Sequence, residues 1–187
     1  MLYKYLKEKE LKFNISRAEE LPPEMRSGKG NSIKYIIQFE SVFKTAVREN
    51  DRVYVELFLP GKNSFLLSKN TGKNKDSLPS LSGDIDTLQT IILLHGSSGR
   101  LERLQNYYYF IEKAARNKYA VLFMHLPFHF KRTPDGERSG QRLITNKDIE
   151  TLDFFNQSVL DIKKAMEVLE RLFLFQTIYF ICGISLG

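Results

Sequence analysis

The chain has 187 residues, 42% of them apolar and 12% aromatic, with 28 basic and 22 acidic side chains giving a net charge of +6. That size and composition support one packed core and exclude a fibrous or disordered chain. Acids accompany bases throughout, so no cationic face interleaved with aromatics argues for nucleic-acid binding. One cysteine, Cys182, excludes an internal disulfide framework, and three histidines beside it leave little for a zinc cage, so neither a metal nor an organic cofactor is expected. The longest apolar run, Leu172 to Ile184, is short for a membrane span and is broken by Gln176 and Thr177. The N-terminus lacks the uninterrupted apolar stretch of a secretory signal. A soluble, cytoplasmic chain is the expectation.

In chain order, residues 1–32 read as an N-terminal extension, with a helix from Leu2 to about Phe13 and then a loop through Pro22-Pro23 to about Asn31. Ile33 to Val47 and Val53 to Leu59 are rich in β-branched and aromatic residues. The polar Arg48-Glu49-Asn50-Asp51 between them predicts an antiparallel hairpin. Residues 61–88 carry few large apolar groups and read as a long surface loop. Thr90 to Leu94 is an unbroken apolar run, the mark of a strand buried on both faces. Leu101, Leu104, Tyr108, Ile111 and Ala115 then recur at helical steps, with Asn117 placed to close the helix. The three tyrosines 107–109 cannot share one helical face, so half of them belong to the surface. Tyr119 to Leu126 is a second buried strand, followed by a loop of roughly twenty residues rich in turn signals. Phe155, Val159, Ile162, Met166, Leu169 and Phe173 form the clearest helical stripe, and Thr177 to Cys182 is a third buried strand. Alternating apolar strands and amphipathic helices imply an α/β protein with a mostly parallel sheet.

Two loops carry chemistry. Gly183-Ile184-Ser185-Leu186-Gly187 places Gly-x-Ser-x-Gly directly after a buried strand. On such a strand-to-helix turn a serine is held in a strained conformation with its hydroxyl projecting, and the glycines let neighbouring chain pass close. The pattern alone recurs by chance in roughly 5% of chains this long; the strand before it is what gives it meaning. His95-Gly96-Ser97-Ser98-Gly99 ends an earlier parallel strand, where small residues let backbone amides face an oxyanion. Both loops fall at carboxyl ends of strands, where open α/β sheets place ligands.

With Leu126-Pro127-Phe128-His129, these motifs make residues 33–187 resemble the N-terminal half of an α/β-hydrolase. The resemblance implies an incomplete α/β-hydrolase fold, with a mostly parallel sheet entered by an antiparallel hairpin and helices on both faces. It implies a serine hydrolase acting on a small carboxylic ester or related acyl substrate. Ser185 would be the nucleophile and the Ser97 and Leu186 amides the oxyanion hole, with His95, Gly96, Ser98 and Gly99 completing the first loop. The family order places an acid and then a histidine after the serine. Neither follows here, so the chain is expected to be inactive alone, and its last strand, apolar on both faces, is expected to drive poor solubility or self-association. An upstream histidine lacks an acid to orient it and is a poor substitute. A non-catalytic remnant or interaction module of the same fold is the competing reading, and a transferase using the same serine a third.

Bland roles are expected for most other polar residues. His125 and His129 read as packed or hydrogen-bonded groups near the site mouth. Arg132 reads as a solvated loop cation, and Asp161 as a non-catalytic partner of Arg132 or of a backbone amide. Cys182 reads as a buried, inert thiol.

Overall fold

The computed structural model describes residues 11–17, 32–61, 66–67, 81–82, 87–97, 103–143, 148–172 and 176–185. The main sheet contains β1 (Phe13–Arg17), β2 (Ile33–Glu40), β3 (Arg52–Leu59), β6 (Thr87–Leu94), β7 (Ala120–Met124) and β8 (Gln176–Gly183). A short ladder pairs β4 (Leu66–Leu67) with β5 (Leu81–Ser82) inside the segment expected to be loop. The helices are a single turn α1 (Arg48–Asp51), α2 (Leu104–Arg116) and α3 (Asp148–Leu172).

Strand order in the main sheet is β1-β2-β3-β7-β6-β8. The β1–β2, β2–β3 and β3–β7 pairs are antiparallel, whereas β6 pairs in parallel with both β7 and β8. The fold is therefore α/β with a mixed sheet, parallel in the half that follows the hairpin. The reason lies in the connections. A polar turn of α1 joins β2 to β3 directly, whereas α2 and α3 carry the chain back between parallel strands, as such a crossover requires.

Burial explains the residue choice along each strand. Tyr35, Ile37 and Phe39 of β2 and Val53, Val55, Leu57 and Leu59 of β3 join one core, covered by α3. Phe58 of β3, Leu93 of β6, and Val121 and Phe123 of β7 face the other way, against Tyr107, Tyr108 and Ile111 of α2. With a helix on each face, β7 is apolar at every position and fully buried. Each such side chain contributes about 1.5–3 kcal/mol.

Several boundaries differ from the sequence expectation. Phe13, placed at the end of a helix, opens β1, which pairs with β2 as an additional antiparallel strand; residues 1–10 lie outside the described residues. The strand begun at Ile33 ends at Glu40 rather than Val47, because the backbone from Ser41 to Val47 bonds to side chains of Asp51 and Gln157 in place of a ladder. The strand expected from Thr90 starts at Thr87. In α2, Tyr107 and Tyr108 are buried and Tyr109 is exposed, as three successive helical positions demand, and Asn117 closes the helix by donating to Lys113 O at 2.8 Å.

The stripe of α3 departs from the expected one at its start: Leu169 is fully buried and Ile162 and Met166 pack against the core as expected, and Phe173 lies outside the described residues. Phe155 and Val159 are exposed at 42% and 50%, while Phe154, Ser158, Asp161, Ala165, Val168 and Leu172 are buried at the same alternation of steps. Two polar members of the true stripe, Ser158 and Asp161, disguise it. Asp161 is held by Arg132, which is fully buried rather than solvated: its Nη2 donates to Asp161 Oδ2 at 2.8 Å, and its remaining donors reach Asn50 O and His125 O. Ser41 Oγ donates to the other Asp161 oxygen at 2.6 Å. Among the described residues β8 is an edge strand, so the run expected to be buried is not. Ile178, Phe180 and Ile181 are exposed and Cys182 is only partly covered.

Candidate active site

The β6–β8 ladder pairs Leu94 with Gly183, and Ile184 N donates to Leu94 O at 3.1 Å one step further. The chain then bends. Ser185 has φ +61°, a left-handed backbone that an L-residue adopts only under constraint, and it is exposed. No strand lies between this turn and the end of β6. A Cβ built on Gly96 would sit 3.1 Å from both Ile184 O and Ser185 Cβ, so any side chain there would make its neighbours yield and glycine eases the close approach of the two loops. Ser185 and residues 95–97 thus lie together at the ends of two neighbouring parallel strands. Ser98, Gly99 and Leu186 lie outside the described residues.

The first loop is fixed by side chains that only the structure reveals. Gly96 N donates to the Tyr107 hydroxyl at 3.0 Å, which occupies that amide. Among the described residues the Ser97 amide meets no acceptor, while Ser97 O lies 3.1 Å from His129 Nε2. Gly140, at φ +78°, packs so closely on this contact that a Cβ there would fall 2.6 Å from Ser97 O and 2.7 Å from His129 Nε2. The 128–143 segment thus braces the loop from behind. Tyr107 stands in the sequence only as one of three successive tyrosines, and nothing marks its hydroxyl as a loop anchor. Gly140 is visible only as a turn residue.

All three histidines are committed elsewhere. His95 is fully buried; its Nε2 accepts from Leu126 N at 3.0 Å, which leaves Nδ1 to donate to Gly96 O at 2.9 Å. Burial, with the nearby His129, pushes its pKa down to about 3, so the ring is neutral at ordinary pH. His129 Nδ1 lies 2.7 Å from Pro127 O, and burial lowers its pKa while the Pro127 and Ser97 carbonyls oppose the shift. His125 is also lowered by burial, against the pull of Glu56, whose Oε1 lies 3.3 Å from His125 Nε2. Burial alone would raise Glu56, but His125 and Lys34, the latter at 2.8 Å, hold it below the usual carboxylate range. Tyr108 completes that cluster by donating to Glu56 at 3.0 Å.

Among the described residues no group of three histidine, cysteine, aspartate or glutamate side chains is arranged to hold a metal ion. No described helix is long and apolar enough to cross a membrane.

No protein-family model and no curated protein matches the chain by sequence. Among solved structures, the chain is similar to fluorophosphonate-binding serine hydrolase F of Staphylococcus aureus, determined with substrate bound. The TM-score is 0.42 and the identity 18%, covering 82% of this chain and 48% of that one. The chain thus spans about half the length of that enzyme.

Proposed function

We propose that this chain carries the nucleophile and part of the oxyanion hole of an α/β-hydrolase-type serine hydrolase. Its substrate would be a small carboxylic ester or related acyl compound. The observation that supports the reading is the strained Ser185 pressed against Gly96 at adjacent parallel strand ends. In this reading Ser185 Oγ bonds to the acyl carbon as its proton passes to a base, and the alcohol leaves carrying a proton. Water then releases the acid and regenerates the serine. The Ser97 amide, with that of Leu186, stabilises the negative charge on the carbonyl oxygen. With Gly96 N bonded to Tyr107, Ser97 is the better placed donor of the first loop.

The base is none of the three histidines, since His95, His125 and His129 are buried and engaged with backbone or Glu56. These 187 residues by themselves are therefore expected to turn over no ester. An external base tests the site nonetheless. A fluorophosphonate probe should label the chain when imidazole is supplied, and Ser185→Ala should abolish the label. Labelling that persists in Ser185→Ala, or none in a folded sample with imidazole, overturns the reading. A reducing, cytoplasmic setting fits the lone Cys182.

A second reading, an interaction module of the same fold, is favoured by β8. This edge strand exposes Ile178, Phe180 and Ile181 and has no charged residue from Gln176 to Gly183, so it lacks the usual protection against pairing with another chain. Self-association through β8 follows from it.

A further inference from the structure

A cavity of about 560 Å³ opens between the β2–β3 connection, the 128–143 segment and α3, and shares no lining residue with the Ser185 turn. Its apolar wall consists of Phe43, Val47, Phe128 and Phe154. The volume lies within the range of small-ligand sites.

The wall is held before any ligand arrives. Gln157 Nε2 donates to Phe43 O at 3.3 Å, and Asp51 Oδ1 accepts from both N and Oγ1 of Thr45, at 2.8 and 2.7 Å. Asn50 links the sides, accepting from Phe128 N at 2.8 Å and donating to Gln157 Oε1 at 2.9 Å. Such preorganisation lowers the ordering cost of binding.

The charges select the ligand. Two cations line the cavity, and each already has a carboxylate: Lys44 pairs with Glu40, and Arg142 Nε donates to Glu137 Oε2 at 2.8 Å. Two more carboxylates, Glu150 and Asp153, project from α3 into the same space. Asp153 has no hydrogen bond or ion pair among the described residues. Within the lining two cations meet two carboxylates, Glu150 facing Arg142, while Glu40 and Glu137 already hold the cations from outside it, so Asp153 is left to favour a positive guest. The aromatic wall reinforces that sign, because ring faces attract cations; Arg142 already lies 5.4 Å from the centre of the Phe128 ring.

We propose that this cavity is a binding site for an organic ammonium ion, its charged head beside Asp153 and its apolar body against Phe43 and Phe154.

Amide shifts of the full chain, followed during titration, test the assignment. The probes are choline, benzyltrimethylammonium and 3,3-dimethyl-1-butanol, the uncharged isostere of choline. Choline should bind about tenfold more tightly than the alcohol, benzyltrimethylammonium more tightly again, and Asp153→Asn should erase about tenfold of the preference. The shifts should centre on Phe43, Phe128 and Asp153. Asp153 is partly exposed and has no ion pair among the described residues, so the variant keeps the fold, as an unchanged circular dichroism spectrum verifies. Equal affinity for choline and the alcohol, shifts centred elsewhere, or an unaltered preference in Asp153→Asn each overturn the assignment. None of these readouts depends on Ser185, so the result stands apart from the hydrolase reading.

Discussion

Ser185 occupies a backbone conformation that glycine would adopt at lower cost. A non-glycine residue in the left-handed region is strained by about 1 kcal/mol or more, and at φ +61° Ser185 carries that strain. Ser185→Gly should raise the unfolding free energy by about 1 kcal/mol while removing the nucleophile; an unchanged denaturation midpoint would show that the turn is relaxed. His95 sets a pH dependence. With a folded pKa of about 3 against an ordinary 6.5, it binds fewer protons in the folded chain than in the unfolded one. Its contribution is complete above pH 6.5 and is lost progressively as the pH falls toward 3. His125 and His129, also lowered, act in the same direction. Denaturation curves between pH 7 and 4 should show steadily falling stability, and His95→Gln should flatten the slope; an equal slope in the variant would contradict this. At this scale the sequence was legible where a residue type is sterically forced. Ser185 and Gly96 could be named because few residues tolerate such a turn or such an approach. Arg132 was misplaced because nothing local distinguishes a buried arginine from a solvated one; its partner is 29 residues away.

The buried polar network belongs to the scale of elements. Arg132 and Asp161 join the loop after β7 to α3, while Ser41, Asn50 and Gln157 tie the β2–β3 connection to both. Asp161→Asn leaves the guanidinium buried without its counter-charge and should cost about 3–5 kcal/mol, measured by chemical denaturation. Replacing both partners, as Arg132→Met with Asp161→Leu, should recover much of the loss because no charge is then stranded. A double variant as unstable as the single one would show that the pair does more than satisfy itself. This network also explains why the first turns of the α3 stripe were misread, while Ile162, Met166 and Leu169 face the core as expected. Phe155 and Val159 look like core positions by hydropathy, but the helix is rotated to bring Ser158 and Asp161 inward. Strand β7 was legible because a helix on each face makes every position apolar, and β6 because its run from Ile91 to Leu94 is apolar. β1 was missed because Phe-Asn-Ile-Ser-Arg is a short edge segment whose polar residues face solvent.

At the scale of the whole molecule, the two edges that the main sheet has among the described residues differ. β1 ends in Arg17 and carries polar residues, whereas β8 has none of the charges that discourage pairing. Sedimentation should show concentration-dependent association, and Ile181→Lys, placing a charge at a site 66% exposed, should shift the population toward monomer. A wild-type monomer at all concentrations would contradict this. The account as a whole depends on the loop after β6 and the turn after β8 meeting through Gly96. Peptide mapping of the fluorophosphonate adduct formed with imidazole tests it directly, in wild type and in Gly96→Val. Wild type should carry the adduct on Ser185, reduced about tenfold or more when valine forces the loops apart. Equal labelling of Ser185 in both proteins, or adducts only on other residues, would contradict it.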